Sequence, residues 1–430
     1  MKDILHSYFR AAQGRQIINI YFKCWALVLP VTSFLIFPSI QGTTPAYLMA
    51  FLSVPLILFA APIPEVRNYF WVLFLICLGY ITLSAVSQFI ISVGPPIDLS
   101  SLPLVDPLSL SRRFLLRPTL FSQSLYLLAA ILAFLFVRQW YHKSWDSYIF
   151  AGILLLVAYG FYEVFYYWIT GTSGDFISNR TFNFGYWGSS THIIDLAGLS
   201  MLRMKSLTGE ASMFAFTVLP YWVFAIHKKR IIIAGILTLA LLFSTSTTAI
   251  LGMLIYTGVL IISNKINWKY LAGLSAVFVT IAIIKFDTVF SVLNELVFKK
   301  FSTTSISGNV RITNFLDSVN FWIQASLPTK IFGLGFGYIR STDFLSTLLV
   351  NNGLIGLVIF LLFFTYPILA LGGSPKDFAL KAALIILAVT MLISVTEYTY
   401  LPTWLFAGIA YHQLSAHVSY PPKIISRSVD

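Results

Sequence analysis

Apolar runs of about 20 residues recur along this chain, long enough for a helix to cross the roughly 30 Å hydrocarbon core of a bilayer. No other feature constrains the fold as much. In lipid every backbone N–H and C=O must be satisfied within the protein, so only helices and closed barrels span it. Barrel strands are about half as long and alternate in polarity, and no such alternation is present. The chain is therefore expected to be all-α, a polytopic integral membrane protein with residues 1–430 as a single membrane domain. Only 10% of its residues are charged and 58% are hydrophobic, where an ordinary soluble domain carries about 25% charged residues. Mean hydropathy is +0.83. The first apolar run begins near Ile17 and reads as a span rather than a cleavable leader.

We place about twelve spans. Their limits are Ile17–Phe37, Ala46–Ile63, Tyr69–Val93, Thr119–Val137, Tyr148–Ile169, Glu210–Ile226, Ile231–Thr245, Thr248–Ser263, Tyr270–Phe286, Phe344–Leu371, Ala379–Thr396 and Thr403–His417. Ile231–Ser263 is too long for one span, and the polar run Ser244–Thr248 marks the break. Short loops set the orientation. Lys2, Arg10 and Arg15 precede the first span. Arg67, Arg138 with Lys143, Lys228-Lys229-Arg230, Lys265 with Lys269, and Lys376 occupy alternate loops, and Lys423 and Arg427 lie in the tail. The short loops Pro38–Pro45, Ser244–Thr248 and Glu397–Pro402 contain no Lys or Arg. This asymmetry puts both termini in the cytoplasm and the three longer loops, 94–118, 171–209 and 287–343, outside. The net charge of +12 is accounted for mostly by insertion topology and anionic lipid, not by nucleic acid. Cys24 and Cys77 fall within spans and read as apolar packing residues rather than a disulfide or metal pair.

Two of the outer loops also carry cations: Arg180, Arg203 and Lys205 in one, and Lys299, Lys300, Arg311, Lys330 and Arg340 in the other. Long loops escape the positive-inside rule, so topology permits these charges without explaining them. Clustered outward arginines suggest an anionic ligand at the outer leaflet. In the second loop Ile312, Phe315, Leu316, Val319, Trp322 and Ile323 recur at helical spacing, with Asn314, Asp317, Ser318 and Gln324 off the stripe. The spacing predicts an amphipathic helix over Val310–Ala325, lying on the membrane or over the spans, started by Ser307-Gly308-Asn309 and ended by Pro328. Gly333–Gly337 reads as a flexible turn rather than a nucleotide-binding fingerprint, since no strand precedes it.

Arg311 falls in the first turn of that helix, where a cation opposes the macrodipole unless an anion binds between it and the free N–H groups. The alternative is an arginine reaching for lipid phosphate. Arg203 and Lys205 precede the span opening Thr208-Gly209-Glu210-Ala211-Ser212; they suit a pyrophosphate, or anchor the span in lipid. Glu210 stands at the mouth of that span, as a base or as a complement to its helix N-terminus. Glu163 lies in the outer part of another, as a functional carboxylate or a structural pairing. Tyr162, Phe165, Tyr166, Tyr167 and Trp168 form an interfacial belt that could also stack on sugars. The candidate catalytic residues are Glu210, Arg203 and Arg311. Arg180, Lys205, Arg340, Glu163 and Asn314 are the candidate substrate-binding residues. No D-x-D pair, H-E-x-x-H, P-loop or G-x-S-x-G occurs, and of the histidines only His192 is clearly in an outer loop. No metal or cofactor is expected.

The run Arg203-Met-Lys-Ser-Leu-Thr-Gly-Glu-Ala-Ser-Met-Phe-Ala215 opens a span after a large outer loop. A second outer loop has Arg311, Trp322 and Gly333-Leu-Gly-Phe-Gly337, and ends in Phe344-Leu-Ser-Thr-Leu-Leu-Val-Asn-Asn-Gly353-Leu-Ile-Gly356. This arrangement resembles the O-antigen polymerases and, more distantly, the O-antigen ligases. The resemblance covers Arg203–Gly356 in motif and the whole chain in span layout. It implies an inner-membrane glycosyltransferase acting at the periplasmic face on undecaprenyl-pyrophosphate-linked oligosaccharide repeat units. The growing chain on one carrier would pass to a new unit on another, and a chain-length regulator and a flippase in the same membrane would be its partners. Ligases typically have a histidine where the second loop enters its last span; Ser341 stands there, which favours a polymerase and leaves the catalytic base open. An O-antigen ligase or another exopolysaccharide polymerase is the nearest alternative. A lipid-linked-oligosaccharide flippase is the reading from another class, but transporters more often show repeat symmetry and mid-membrane polarity.

Overall fold

The computed structural model describes residues 2–38, 40–94, 98–106, 118–177, 179–181, 193–196, 199–265, 306–396 and 398–419. The span expected at Tyr270–Phe286, together with Lys269, Lys299, Lys300, Lys423, Arg427 and His192, lies outside the described residues.

The described chain is mostly helical. Its helices are α1 (Lys2–Val28), α2 (Pro45–Ala60), α3 (Ile63–Val93), α4 (Pro118–Trp140), α5 (Asp146–Thr170), α6 (Ala211–His227), α7 (Ile231–Phe243), α8 (Thr247–Ile262), α9 (Ile306–Gln324), α10 (Leu327–Phe332), α11 (Phe344–Ala370), α12 (Pro375–Ile393) and α13 (Leu401–Ser419). Strands β1 (Ile193–Leu196) and β2 (Leu199–Leu202) pair antiparallel before α6, with Ile193 opposite Leu202. Four helical stretches, Ile63–Val93, Thr119–Trp140, Lys143–Thr170 and Phe344–Ala370, are long and apolar enough to cross a membrane. The shorter α2, α6, α7 and α8 are apolar as well.

The core forms where helices are apolar on every side. In α6 every residue from Phe214 to Ala225 is buried, and α12 is buried along most of its length. A helix hydrophobic all round belongs inside a bundle. α6 packs on α12, α4 on α13, and α1 on α5. Phe22 stacks on Trp145 at 3.9 Å between ring centroids. By contrast α3 turns Trp71, Phe74, Leu75, Leu78, Ile81 and Phe89 outward, a surface that is costly in water and natural in hydrocarbon.

Two elements differ from expectation. The first apolar run does not continue helically to Phe37. α1 ends at Val28, just before Pro30, and the next residues leave the helix, with Thr32 and Ser33 N–H both donating to Leu207 O (3.1 and 3.0 Å) and Leu35 N–H to Asn179 O (2.8 Å). Nor is Gly333–Gly337 a loose turn. Gly333, Gly335 and Gly337 have φ of 75, 113 and 73°, values that glycine adopts without steric cost. α11 is itself broken at Gly353 (φ 61°, ψ −160°). The carbonyls of Val350 and Asn351, freed at that break, accept from Leu334 and Gly335 N–H, both at 2.8 Å. The Asn351 side chain clasps both N–H and C=O of Ile339 at 2.9 Å. A Cβ on Gly333 would lie 2.4 Å from the Asn351 backbone. The two glycine-bearing motifs thus form one interlocked unit.

Contacts sort the connections into two ends. At one end meet the α1–α2 loop, β1–β2, the Ser244–Thr248 turn, the start of α11 and the α12–α13 loop. At the other, Lys228 at the end of α6 pairs with Asp146 at the start of α5 (2.6 Å), and Lys376 at the start of α12 bonds Gln413 near the end of α13.

Candidate functional site

The first end holds two groups of charges. In one, the Arg180 side chain is fully buried, 3.3 Å from Asp175, and donates to Ser206 O at 2.6 Å. Tyr159 Oη donates to Asp175 at 2.8 Å. Glu163 takes the Ser206 N–H and has Arg180, Asp175 and Lys205 as charged neighbours. Burial draws the Lys205 ammonium below its ordinary pKa, and Glu163 opposes the shift. Two carboxylates and two cations therefore offset each other in a buried cluster that ties the loop before α6 to α5. The structure brings Arg180, Lys205 and Glu163 together, among acids rather than at an opening.

The second group is Arg203, Glu210 and Arg311. Arg203 donates from Nε to Thr245 Oγ1 (3.1 Å) and from Nη2 to Thr245 O (3.3 Å). Arg311 donates to Ser394 O (3.3 Å), and Ser394 Oγ meets Thr248 Oγ1 at 2.6 Å. The turn before α8, where Thr245 takes a left-handed φ of 44°, therefore links both arginines through neutral oxygens. Among the described residues neither arginine forms an ion pair. Burial lowers the pKa of Arg203; Glu210 opposes this shift and the positive charge of Arg311 adds to it. Glu210 is the N-cap residue of α6, yet its side chain does not cap the helix. It accepts from Ser212 Oγ at 3.3 Å and is otherwise exposed. α9 begins at Ile306, so Arg311 stands in its second turn, away from the free N–H groups that the sequence pattern suggested. Asn314 lies half-buried one turn further on. Ile312, Phe315, Leu316 and Ile323 of the amphipathic stripe are exposed, while Ser318 is buried.

Beside these charges is a cavity of about 320 Å³, walled by the α1–α2 loop, α4, the Gly337–Arg340 segment and the α12–α13 loop. Tyr47, Tyr126, Tyr398 and Tyr400 line it with Gln123, and Arg340 stands at its edge. Tyr47 Oη donates to Thr399 O and Tyr398 Oη to Gln123 Oε1, both at 2.6 Å. Burial pushes the Tyr398 and Tyr400 phenols above their ordinary pKa, so both stay neutral. Tyr400 is within electrostatic reach of Arg340 and of Glu210, which connects cavity and charges. Ser341 is buried and bonded to Asp343 and Thr347.

The tyrosines and the Ser244–Thr248 turn are the site residues that sequence reasoning missed. For Tyr398, Tyr400 and the turn, the signal was a set of short polar loops without Lys or Arg, assigned to the same side as the long ones; Tyr47 and Tyr126 lie within apolar spans that gave no such signal. Among the described residues no group of acids, histidines and cysteines could hold a metal. No protein-family model matches this chain, and no curated protein or solved structure matches it.

Proposed function

We propose that this chain is an O-antigen polymerase, a metal-independent glycosyltransferase with about twelve spans in the bacterial inner membrane. It takes a growing saccharide from one undecaprenyl-pyrophosphate carrier and transfers it to the non-reducing sugar of a lipid-linked repeat unit on another. The observation that carries the reading is that Arg203 and Glu210 are brought into electrostatic reach of Arg311, far from them in sequence, near a tyrosine-lined cavity. Two arginines held by neutral oxygens keep their charge for an anion. A pyrophosphate is the anion whose size and charge suit two guanidinium forks. The cavity is at the lower end of the roughly 300–1,000 Å³ range of ligand pockets. Its neutral phenols and amide can bond hydroxyls, and its rings can cover a sugar face.

In the reaction the acceptor hydroxyl oxygen attacks the anomeric carbon as the carbon–oxygen bond to pyrophosphate breaks. The bond's electron pair leaves on the pyrophosphate, which Arg203 and Arg311 stabilise. The hydroxyl proton passes to Glu210. The leaving group is good, so a carboxylate of ordinary basicity suffices.

The test is a lipopolysaccharide gel from a strain lacking the protein. Loss of a polymerase leaves core bearing one repeat unit. Bare core would point to a ligase, and units retained at the inner face would point to a flippase. Sidedness is checked with single cysteines in a background carrying Cys24→Ala and Cys77→Ala. A cysteine at Ser200 is expected to react with an impermeant thiol reagent in spheroplasts and one at Lys229 is not; the reverse pattern would remove the periplasmic assignment.

A further inference from the structure

A second cavity, of about 520 Å³, opens at the opposite end of the bundle between the start of α5, the α6–α7 turn and the start of α12. Lys143, Lys228, Lys229, Arg230 and Lys376 line it, with Asp146. Insertion topology explains cations in these loops, but not their convergence on one hollow. The acid is already committed: Asp146 accepts from Tyr141 Oη at 2.5 Å and from Lys228 Nζ at 2.6 Å. Lys376 is positioned by neutral groups, 3.0 Å from Gln413 Oε1 and 4.8 Å over the Tyr141 ring. Burial, reinforced by Lys228, draws the Lys376 ammonium below its ordinary pKa. Asp377, behind the rim, is bonded to Ser374. Lys229 has left-handed backbone (φ 57°), a conformation in which a lysine is uncommon and a glycine unstrained. Next to Arg230, Ile231 and Ile232 are each 80% exposed, so an apolar strip adjoins the cations.

We propose that this cavity binds a phosphate anion carried on the headgroup of an anionic lipid. The cations outnumber the acids, which calls for an anion, and the converging lysines and arginine suit phosphate oxygens. The isoleucines beside them offer acyl chains a surface at the same level. Basic hollows between helices at the cytoplasmic side of a membrane are a general setting for such headgroups. The inference does not depend on the glycosyl-transfer reading.

The experiment uses the full chain purified in a neutral detergent, with lipid binding followed by native mass spectrometry. Short-chain phosphatidylglycerol is expected to bind at least about tenfold more tightly than phosphatidylcholine. The combined Lys229→Gln, Arg230→Gln, Lys376→Gln variant is expected to lose that preference, and Arg67→Gln, an exposed cation outside the cavity, to retain it. Lys229→Gly removes a cation while relaxing the backbone, so its loss of affinity cannot come from misfolding; a several-fold weakening is expected. An unchanged preference in both cavity variants would overturn the site. Equal weakening by Arg67→Gln would reduce it to general surface charge and overturn it as well. Competition by inorganic phosphate or glycerol 1-phosphate as strong as by the lipid would overturn the lipid assignment in favour of a soluble phosphate.

Discussion

Arg180 and Arg203 belong to the same polar stretch before α6, yet the structure treats them in opposite ways. Arg180 is fully buried against Asp175 and beside Glu163. Among the described residues Arg203 is held by a threonine hydroxyl and a carbonyl, with Glu210 and a second arginine in electrostatic reach. On the proposed reading, burial alone does not separate structural from functional cations. What separates them is whether acids cancel the charge. A cancelled cation fixes the chain, whereas one anchored by neutral dipoles keeps its field for a ligand.

The sharpest way to break this comparison is to remove each arginine in turn and read stability and activity separately. Arg180→Ala strands Asp175 in a buried site, and breaking such a pair typically costs about 3–5 kcal/mol. The expected result is a large drop in thermal stability in detergent and little protein in the membrane. Arg203→Ala and Arg311→Ala leave no buried carboxylate behind. They are expected to insert normally and to lose long-chain product by roughly 10²–10³-fold, the usual scale for one oxyanion-stabilising donor. Arg→Lys at either position should restore little, since the planar fork is lost. An inactive but stable Arg180→Ala, or an unstable Arg203→Ala, would reverse the assignment.

Glu210 sharpens the same contrast among the carboxylates. Glu163 is buried within the cancelled cluster, whereas Glu210 is exposed, does not cap α6 and, among the described residues, forms no ion pair. Glu210→Gln keeps size and hydrogen bonding but cannot accept the proton. A fall of about 10²-fold in polymer formation by reconstituted protein is expected, with stability unchanged. Wild-type rates would make Glu210 a positioning group at most.

Much of the scaffold was legible because apolar runs report helices directly. α2, α4, α5 and α11 fall close to the spans read from the sequence, and the Ser244–Thr248 break is where α7 passes to α8. What was not legible is pairing at a distance. The carboxylates that cancel Arg180 are Asp175 nearby and Glu163 on α5, and periodicity does not say that a loop folds back over the helix preceding it. The end of α1 at Val28 was hidden in a run that stays apolar to Phe37, because hydropathy does not register that the backbone has turned toward Leu207 and Asn179. The glycine run was visible as punctuation, and so was Asn351-Asn352-Gly353 inside the apolar helix, but nothing in their spacing says that the two runs pair with each other.

The smallest expected effect tests the anchor itself. If neutral dipoles orient Arg203, weakening one of them should weaken catalysis without touching the charge. Thr245→Val removes the hydroxyl that accepts from Arg203 Nε at 3.1 Å, while Thr245 O still accepts from Nη2 at 3.3 Å. Valine is β-branched and of similar shape, so the left-handed backbone at this position is strained no more than by threonine. A hydrogen bond to a charged group is worth about 1.5–3 kcal/mol, and retention of the second bond puts the expected loss near the lower end, roughly a tenfold fall in rate. The hydroxyl also donates to Ser244 O at 2.9 Å, so the turn could loosen as well. Ser at this position separates the two effects, because it keeps both hydrogen bonds and loses only the methyl group. The anchor model predicts that Thr245→Ser retains near-normal polymer formation while Thr245→Val does not. Equal loss in both would show that packing of the turn, rather than the dipole on Arg203, is what the reaction needs.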